Sequence, residues 1–248
     1  MISGIISKAS SSLRRMTSHT FKDQVVIITG APSGIGRELT LQFARHGASL
    51  VLAARDHSRL AELQHECEKL GSRAIAVPTD VTSPEQCAVL IRKTLESFHR
   101  IDILINNAGV TMYGNFEDVQ DLGVFETLMK VNYLGSVYCT HFALPHLKNT
   151  RGRIVGISSL TGKTGVPTRS GYAASKHAMA GFFDTLRIEL AGSGVSVTMI
   201  YPGFVATAMR EHALDIHGKP LGTSHLNESN VMPVEKCAAM ILTAADKR

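Results

Sequence analysis

From Gln24 onward the chain alternates short aliphatic runs with longer amphipathic stretches, and no other feature limits its fold so strongly. Short runs suit strands buried on both faces. Stretches with apolar residues at helical spacing suit helices that cover such a sheet. The alternation therefore implies βαβ units and a doubly wound parallel α/β sheet. Strands are expected near Val25–Thr29, Ser49–Ala54, Ala74–Pro78, Ile103–Asn106, Arg153–Ser158 and Ser196–Tyr201. Helices are expected over Gly34–His46, Ser58–Leu70, Pro84–Phe98, Val124–Lys148, Tyr172–Gly192 and Pro233–Ala245, with Pro84 and Pro233 in first turns, where a missing N–H is harmless. No repeat or linker interrupts this pattern, so residues 21–248 read as one domain behind a leader, residues 1–20.

A length of 248 residues, 44% hydrophobic, can bury a sizeable core and is too apolar for disorder. The longest apolar runs fall far short of the ~20 residues that span a bilayer. The formal charge of +5 belongs to the N-terminus: Lys8, Arg14, Arg15 and Lys22 precede the first acid, leaving 22 of the 26 basic residues against all 21 acidic ones. A nearly neutral body offers no basic stripe, which argues against a nucleic-acid partner. Cys67, Cys87, Cys139 and Cys237 lack CxxC spacing, so neither a zinc site nor a disulfide framework is indicated, and a reducing, cytoplasmic setting is expected. The leader is rich in Ser and free of acids, with Ile2, Ile5, Ile6, Ala9, Leu13 and Met16 at helical spacing. It reads as a frayed tail, a transit peptide, or an amphipathic segment in peripheral contact with a membrane, and the last two make an organellar or membrane-associated location the alternative.

Val25–Thr29 runs straight into Gly30-Ala31-Pro32-Ser33-Gly34-Ile35-Gly36 and then a helix. Glycines permit positive φ and let backbone N–H groups approach a pyrophosphate, which the helix N-terminus also attracts. The spacing is GxxxGxG rather than GxGxxG, a moderate signal by itself, with a purely structural turn as the lesser alternative. Its place after the first strand of a doubly wound pattern favours a dinucleotide. An NAD-binding chain of this architecture puts a carboxylate near the end of the second strand to accept from the adenosine ribose. Here Ala54 stands there and Arg55 follows, so a 2′-phosphate meets a guanidinium instead of an acid, and NADP(H) is the expected cofactor. Asp56 is a local partner that would blunt Arg55, and Arg37 reads as a solvated first-turn residue.

Tyr172-Ala173-Ala174-Ser175-Lys176 falls on an expected helix, where i, i+4 spacing puts phenol and ammonium on one face. A free Tyr, with a pKa of about 10, is a poor base, and lowering it three units requires roughly 4 kcal/mol, which Lys176 and an oxidised nicotinamide would supply. Ser158 and Ser159 close a strand, with Ser159 13 residues before Tyr172. Asn106-Asn107-Ala108-Gly109 closes the fourth strand, and Asn132 sits in the next long helix. With Thr29-Gly30, Gly34-Ile35-Gly36 and Tyr201-Pro202-Gly203 in the same order and spacing, the chain from Phe21 to Ala245 resembles the short-chain dehydrogenase/reductase family, which implies a Rossmann-type fold.

The resemblance implies roles. Tyr172 would exchange a proton with the substrate oxygen, and Ser159 would hydrogen-bond that oxygen. Lys176 would hold the nicotinamide ribose, and Asn132 would anchor a water that leads protons to it. Gly30, Ser33, Gly34, Ile35, Gly36, Arg55, Asp80, Val81, Asn107, Ala108 and Gly109 would line the cofactor. Asp80 would accept from the adenine amine, and Pro202, Gly203, Val205 and Thr207 would wrap the nicotinamide; the turn residues among these also serve ordinary loop chemistry. The stretch Ser158–Lys163 with Tyr172–Ala178 and Gly181-Phe182-Phe183 is most similar to the 11β-hydroxysteroid-dehydrogenase-like branch, whose substrates include lipophilic carbonyls. The family usually adds a final edge strand after the Pro233–Ala245 helix. This chain stops at Arg248, either because it is cut short or because this member lacks the strand, and six strands with an exposed edge are expected. The Gly203–Met232 stretch reads as a substrate lid, and its His212, His217 and His225 lack a carboxylate at ligand spacing, so no metal is expected. The implied activity is NADPH-linked reduction of a small-molecule carbonyl or oxidation of a secondary alcohol, in a homodimer or homotetramer. The alternatives are a catalytically silent NADPH-binding regulator or scaffold and, less well matched, a nucleotide-sugar epimerase.

Overall fold

The computed structural model describes residues 21–222 and 231–247, so the expectations for the leader and for His225 lie outside the described residues. In chain order the elements are β1 (Val25–Thr29), α1 (Gly34–Arg45), β2 (Ser49–Ala54), α2 (His57–Lys69), β3 (Ala74–Pro78), α3 (Pro84–Phe98) and β4 (Ile103–Asn106). Then come α4 (Gly123–Leu128), a π-helical segment (Met129–Leu134), α5 (Gly135–Thr150), β5 (Arg153–Ile157), α6 (Ser170–Glu189), β6 (Ser196–Ile200) and α7 (Val234–Asp246). The strands form one six-stranded sheet in the order β3-β2-β1-β4-β5-β6 with every pairing parallel, which is the Rossmann-type arrangement. The side on which successive strands are added reverses between β1 and β4, so the crevice beyond their C-terminal ends is where a ligand fits.

Local chemistry sets the boundaries. The Asp56 carboxylate caps α2 by accepting from Arg59 N at 3.1 Å, and the Ser83 hydroxyl caps α3 by accepting from Gln86 N, with Pro84 next. Pro233 takes the cap position before α7 (φ −55°, ψ 139°), one residue earlier than the first-turn place expected for it. The expected Val124–Lys148 helix differs more. It is α4, six residues in π geometry, and α5, with Asn132 inside the widened segment. Such single π turns recur at functional sites.

Alternation within the strands divides the core. Val26, Ile28, Leu50 and Leu52 face α1, α2 and α7 through Leu39, Phe43, Leu60, Leu63 and Ile241. Ile27, Val51 and Leu104 face α3, α5 and α6 through Leu90, Cys139, Leu147, Met179 and Phe183. A smaller cluster of Met112, Val124, Leu128 and Tyr172 lies over the C-terminal end of the sheet. All four cysteines are buried and free, with Cys87 and Cys139 Sγ atoms 3.6 Å apart. Among the described residues no helix is long and apolar enough to cross a membrane, and no group of His, Cys, Asp and Glu is placed to hold a metal.

Candidate active site

The glycine turn is closed by backbone contacts. Gly30 has φ +64°, and its N–H donates to Ala53 O at 2.8 Å, tying the turn to β2. A Cβ on Gly36 would stand 2.3 Å from Gly30 O and 2.5 Å from Asn107 Nδ2, so no side chain fits there. Asn107 seals the turn from the β4 side: its Nδ2 donates to Thr29 O at 2.9 Å and to Gly30 O at 3.2 Å. The N–H groups of Asn107 and Ala108 both donate to the Thr29 hydroxyl.

Ser33 sits at the N-cap of α1 without a side-chain cap bond, and the first intrahelical bond is Arg37 N to Ser33 O. The N–H groups of Gly34, Ile35 and Gly36 therefore find no acceptor among the described residues, an arrangement that fits a pyrophosphate. Thr207 leans on the turn: a Cβ on Gly34 would meet its Cγ2 at 3.2 Å.

At the end of β2, Arg55 is exposed and has no ion-pair partner among the described residues. Asp56, its expected local competitor, is engaged in capping α2 instead. Arg37 is not simply solvated, because its Nη2 donates to both carboxylate oxygens of Glu66, at 2.8 and 2.7 Å. Arg59 is a residue that sequence reasoning missed: its Nη2 donates to Pro32 O in the glycine turn at 3.1 Å. Asp80 accepts from Thr82 N and Thr82 Oγ1, which holds its carboxylate beside β3, while Val81 is buried against Gly135.

Beyond β4 and β5 the polar side chains converge. Ser158 and Ser159 divide their work: Ser158 Oγ donates to Lys176 O at 3.3 Å, and the Ser159 hydroxyl lies close enough to the Tyr172 phenol to lower its pKa. Ser159 Oγ also accepts from Thr161 N at 3.2 Å, leaving its own proton free to be donated. Asn132 bridges the loop after β4 to α6. Its Oδ1 accepts from Val110 N, and its Nδ2 donates to Val110 O and to Ser175 Oγ, which in turn donates to Tyr172 O. Gly109 lies over the same point, since a Cβ there would be 3.2 Å from Asn132 Oδ1 and 3.5 Å from Lys176 Nζ.

Two ionisable groups are out of water here. Burial pushes the Tyr172 phenol up, and the Ser159 hydrogen bond and the charge of Arg169 push it back down. Lys176 is 2% exposed, and desolvation lowers its ammonium from 10.5 to about 8. Its Nζ donates to Ile157 O at 2.9 Å and lies 5.8 Å from the Tyr172 ring centroid. The cation that lowers the phenol is thus Arg169, three residues before Tyr172. Sequence reasoning passed over it, although the i, i+3 spacing was there to find.

Pro202 O accepts from Leu160 N, and Gly203 lies against Leu160. Val205 is buried and pairs in a short bridge with Met232, while His212 and His217 are exposed.

A family model described as short chain dehydrogenase matches residues 24–216. An 11-beta-hydroxysteroid dehydrogenase-like 4A of Arabidopsis thaliana is 44% identical over 189 residues, which is 76% of this chain and 63% of that protein. An 11-beta-hydroxysteroid dehydrogenase of Pinus massoniana is 36% identical over 243 residues, 95% of this chain and 68% of that one. The chain thus spans about two thirds or less of such relatives. Among solved structures, an alcohol dehydrogenase from the archaeon Thermococcus sibiricus, complexed with 5-hydroxy-NADP, superposes with a TM-score of 0.80 at 25% identity, covering 91% of each chain.

Proposed function

This chain belongs to the short-chain dehydrogenase family, and from that premise we propose that it is an NADP(H)-dependent oxidoreductase acting on a carbonyl or secondary alcohol, with Tyr172 as general acid/base. The observation that carries the reading is the meeting of Ser159, Tyr172 and buried Lys176 beyond the same strand ends as the glycine turn. NADPH, when bound, would supply the hydride from its nicotinamide. The N–H groups of Gly34, Ile35 and Gly36, without acceptors among the described residues, suit its pyrophosphate; exposed Arg55, without an ion-pair partner among them, suits a 2′-phosphate; and Lys176 suits the ribose hydroxyls.

In carbonyl reduction Tyr172 Oη gives its proton to the substrate oxygen, and Ser159 donates a second hydrogen bond to that oxygen as negative charge develops on it. The phenol that burial holds protonated is the form this step needs. The charge of Arg169 stabilises the phenolate left behind. Asn132 acts as a positioning residue, because its side-chain amide is engaged with Val110 and Ser175.

The test is consumption of NADPH, followed by absorbance, over a panel of aldehydes and ketones. Turnover with NADPH and tighter binding of NADPH than NADH are expected. Cofactor binding without turnover on any substrate would favour a silent NADPH reader, and equal affinity for the two cofactors would overturn the assignment to Arg55.

A further inference from the structure

Arg169 occupies the cap position of α6 without a side-chain cap bond. Its Nη1 donates to Thr111 Oγ1 at 2.7 Å, and its guanidinium carbon lies 5.3 Å from the Tyr113 ring centroid. Thr111 and Tyr113 belong to the segment that leaves β4 past the Val110–Asn132 contact, so this cation stands at the junction where Tyr172 works. It is half-buried, and among the described residues no carboxylate is found among the charges that act on it. A guanidinium drawn out of water is ordinarily matched by an acid, and here one hydroxyl and one ring serve.

Among the described residues, the other full charge felt by Arg169 has the same sign. Arg210, from the 3-10 turn Ala208–Arg210, lies with its guanidinium carbon 5.4 Å from the Phe204 ring centroid. Two guanidiniums brought near each other from distant parts of the chain repel, and the positive end of the 20-residue helix α6 adds to the same field. Exposed apolar side chains lie on the same side: Phe204, over whose ring Arg210 stands, is 60% exposed, and Leu160, against the neighbouring Gly203, is 54% exposed. Paired cations next to open hydrocarbon surface, beside a proton-transferring phenol, suit a ligand with an apolar body and an anionic end.

We propose that Arg169, assisted by Arg210, is the anion-recognition site for the substrate, so that the carbonyl or alcohol reaching Tyr172 carries a carboxylate or phosphate group on an apolar chain. This rests on the oxidoreductase reading and names the substrate class within it.

Three unreactive probes test the site without requiring turnover: decanoate, decyl phosphate and neutral methyl decanoate, titrated into the NADPH-loaded chain. The better anionic probe should bind roughly 10-fold or more tighter than the ester, and which anion leads identifies carboxylate or phosphate. In Arg169→Gln that advantage should shrink to within about 3-fold, and added salt should erode it in the wild-type protein. Should Arg169→Gln fail to fold, Arg210→Gln should reduce the same ratio. An ester that binds wild-type protein as tightly as both anions, or a full anion advantage retained in the Gln variants, overturns the proposal. A second measurement separates the two readings: NADPH oxidation with 4-oxodecanoate and its methyl ester. A binding advantage with no NADPH oxidised on these or on the wider panel leaves the anion site standing and removes the oxidoreductase reading. Turnover that favours the ester does the reverse.

Discussion

The two sides of the crevice are built from different material. On the β1–β2 side, the glycine turn is defined by backbone. Gly30 is bonded to Ala53 O, Asn107 Nδ2 reaches Thr29 O and Gly30 O, and a Cβ on Gly36 would come 2.3 Å from a carbonyl oxygen. On the β5–β6 side the surface is made of side chains: Ser159, Tyr172, Arg169, and exposed Leu160 and Phe204. The segment after β6 is held by isolated bridges such as Val205 to Met232 and Leu214 to Met112. A site made of backbone N–H groups reads a fixed anionic shape and tolerates few substitutions. A site made of loop side chains can be retuned one residue at a time. Substitutions that separate the two sides put this division to the test.

The largest separation is expected from Tyr172→Phe. The ring still packs in its cluster with Met112, Val124 and Leu128, so the cofactor side should be undisturbed. Loss of the proton-transferring hydroxyl should lower kcat by roughly 10²–10⁴-fold, while NADPH affinity, measured by titration, stays unchanged. A kcat within about threefold of wild type would remove Tyr172 from the chemistry.

Lys176 lies on the seam, and its expected signature is in stability. Its folded-state pKa of about 8 lies below the ordinary lysine value of 10.5. Between those values the folded chain has released a proton that the unfolded chain still holds, so stability should rise with pH across that window. Lys176→Met removes the buried charge. It should flatten the rise and leave the protein at pH 7 as stable as wild type or more so, by up to about 3 kcal/mol, in urea titrations at pH 7 and 10. A clear loss of stability at pH 7 would mean that the bond from Nζ to Ile157 O outweighs desolvation.

The same division explains what could be read ahead of the structure. β1 to β4 begin and end where aliphatic runs begin and end, because a strand buried on both faces declares itself by composition. The glycine turn and the Tyr172–Lys176 spacing were equally legible, since each is a local pattern. The parts that escaped depend on neighbours distant in sequence. Nothing near Asn132 announces that Val110 and Ser175 will take its amide, or that the helix will widen into π turns around it. Arg59 reaches Pro32 across 27 residues, and Cys87 meets Cys139 across 52. Only the fold creates these pairs.

The third and smaller effect concerns which cofactor is read. Arg55 is exposed and has no ion-pair partner among the described residues, so its substitution should touch only what binds there. A hydrogen bond to a charged group is worth about 1.5–3 kcal/mol, so Arg55→Ala should weaken NADPH by roughly 10–150-fold and leave NADH little changed. Adding Ala54→Asp supplies the ribose acceptor and should turn the preference toward NADH.

Arg59 should give the smallest effect, and it sharpens the comparison because it is a side chain working within the backbone-built half. Its guanidinium donates to Pro32 O, and its own N–H is held by the Asp56 cap, so it braces the wall of the turn from α2. A brace acts on the shape presented to the pyrophosphate, which NADPH and NADH share, whereas Arg55 faces only what differs between them. Arg59→Ala should therefore weaken both cofactors by the same few-fold factor, as expected for one net hydrogen bond of about 1 kcal/mol, with kcat on saturating cofactor unchanged. Titrating the single variants and the double variant with each cofactor gives the answer. Equal losses for NADPH and NADH in Arg59→Ala, adding to the NADPH-selective loss of Arg55→Ala, are the expected pattern for independent sites. A loss confined to NADPH would make Arg59 a second reader of the 2′-phosphate, and the glycine-turn side would then depend on side chains more than its backbone contacts indicate.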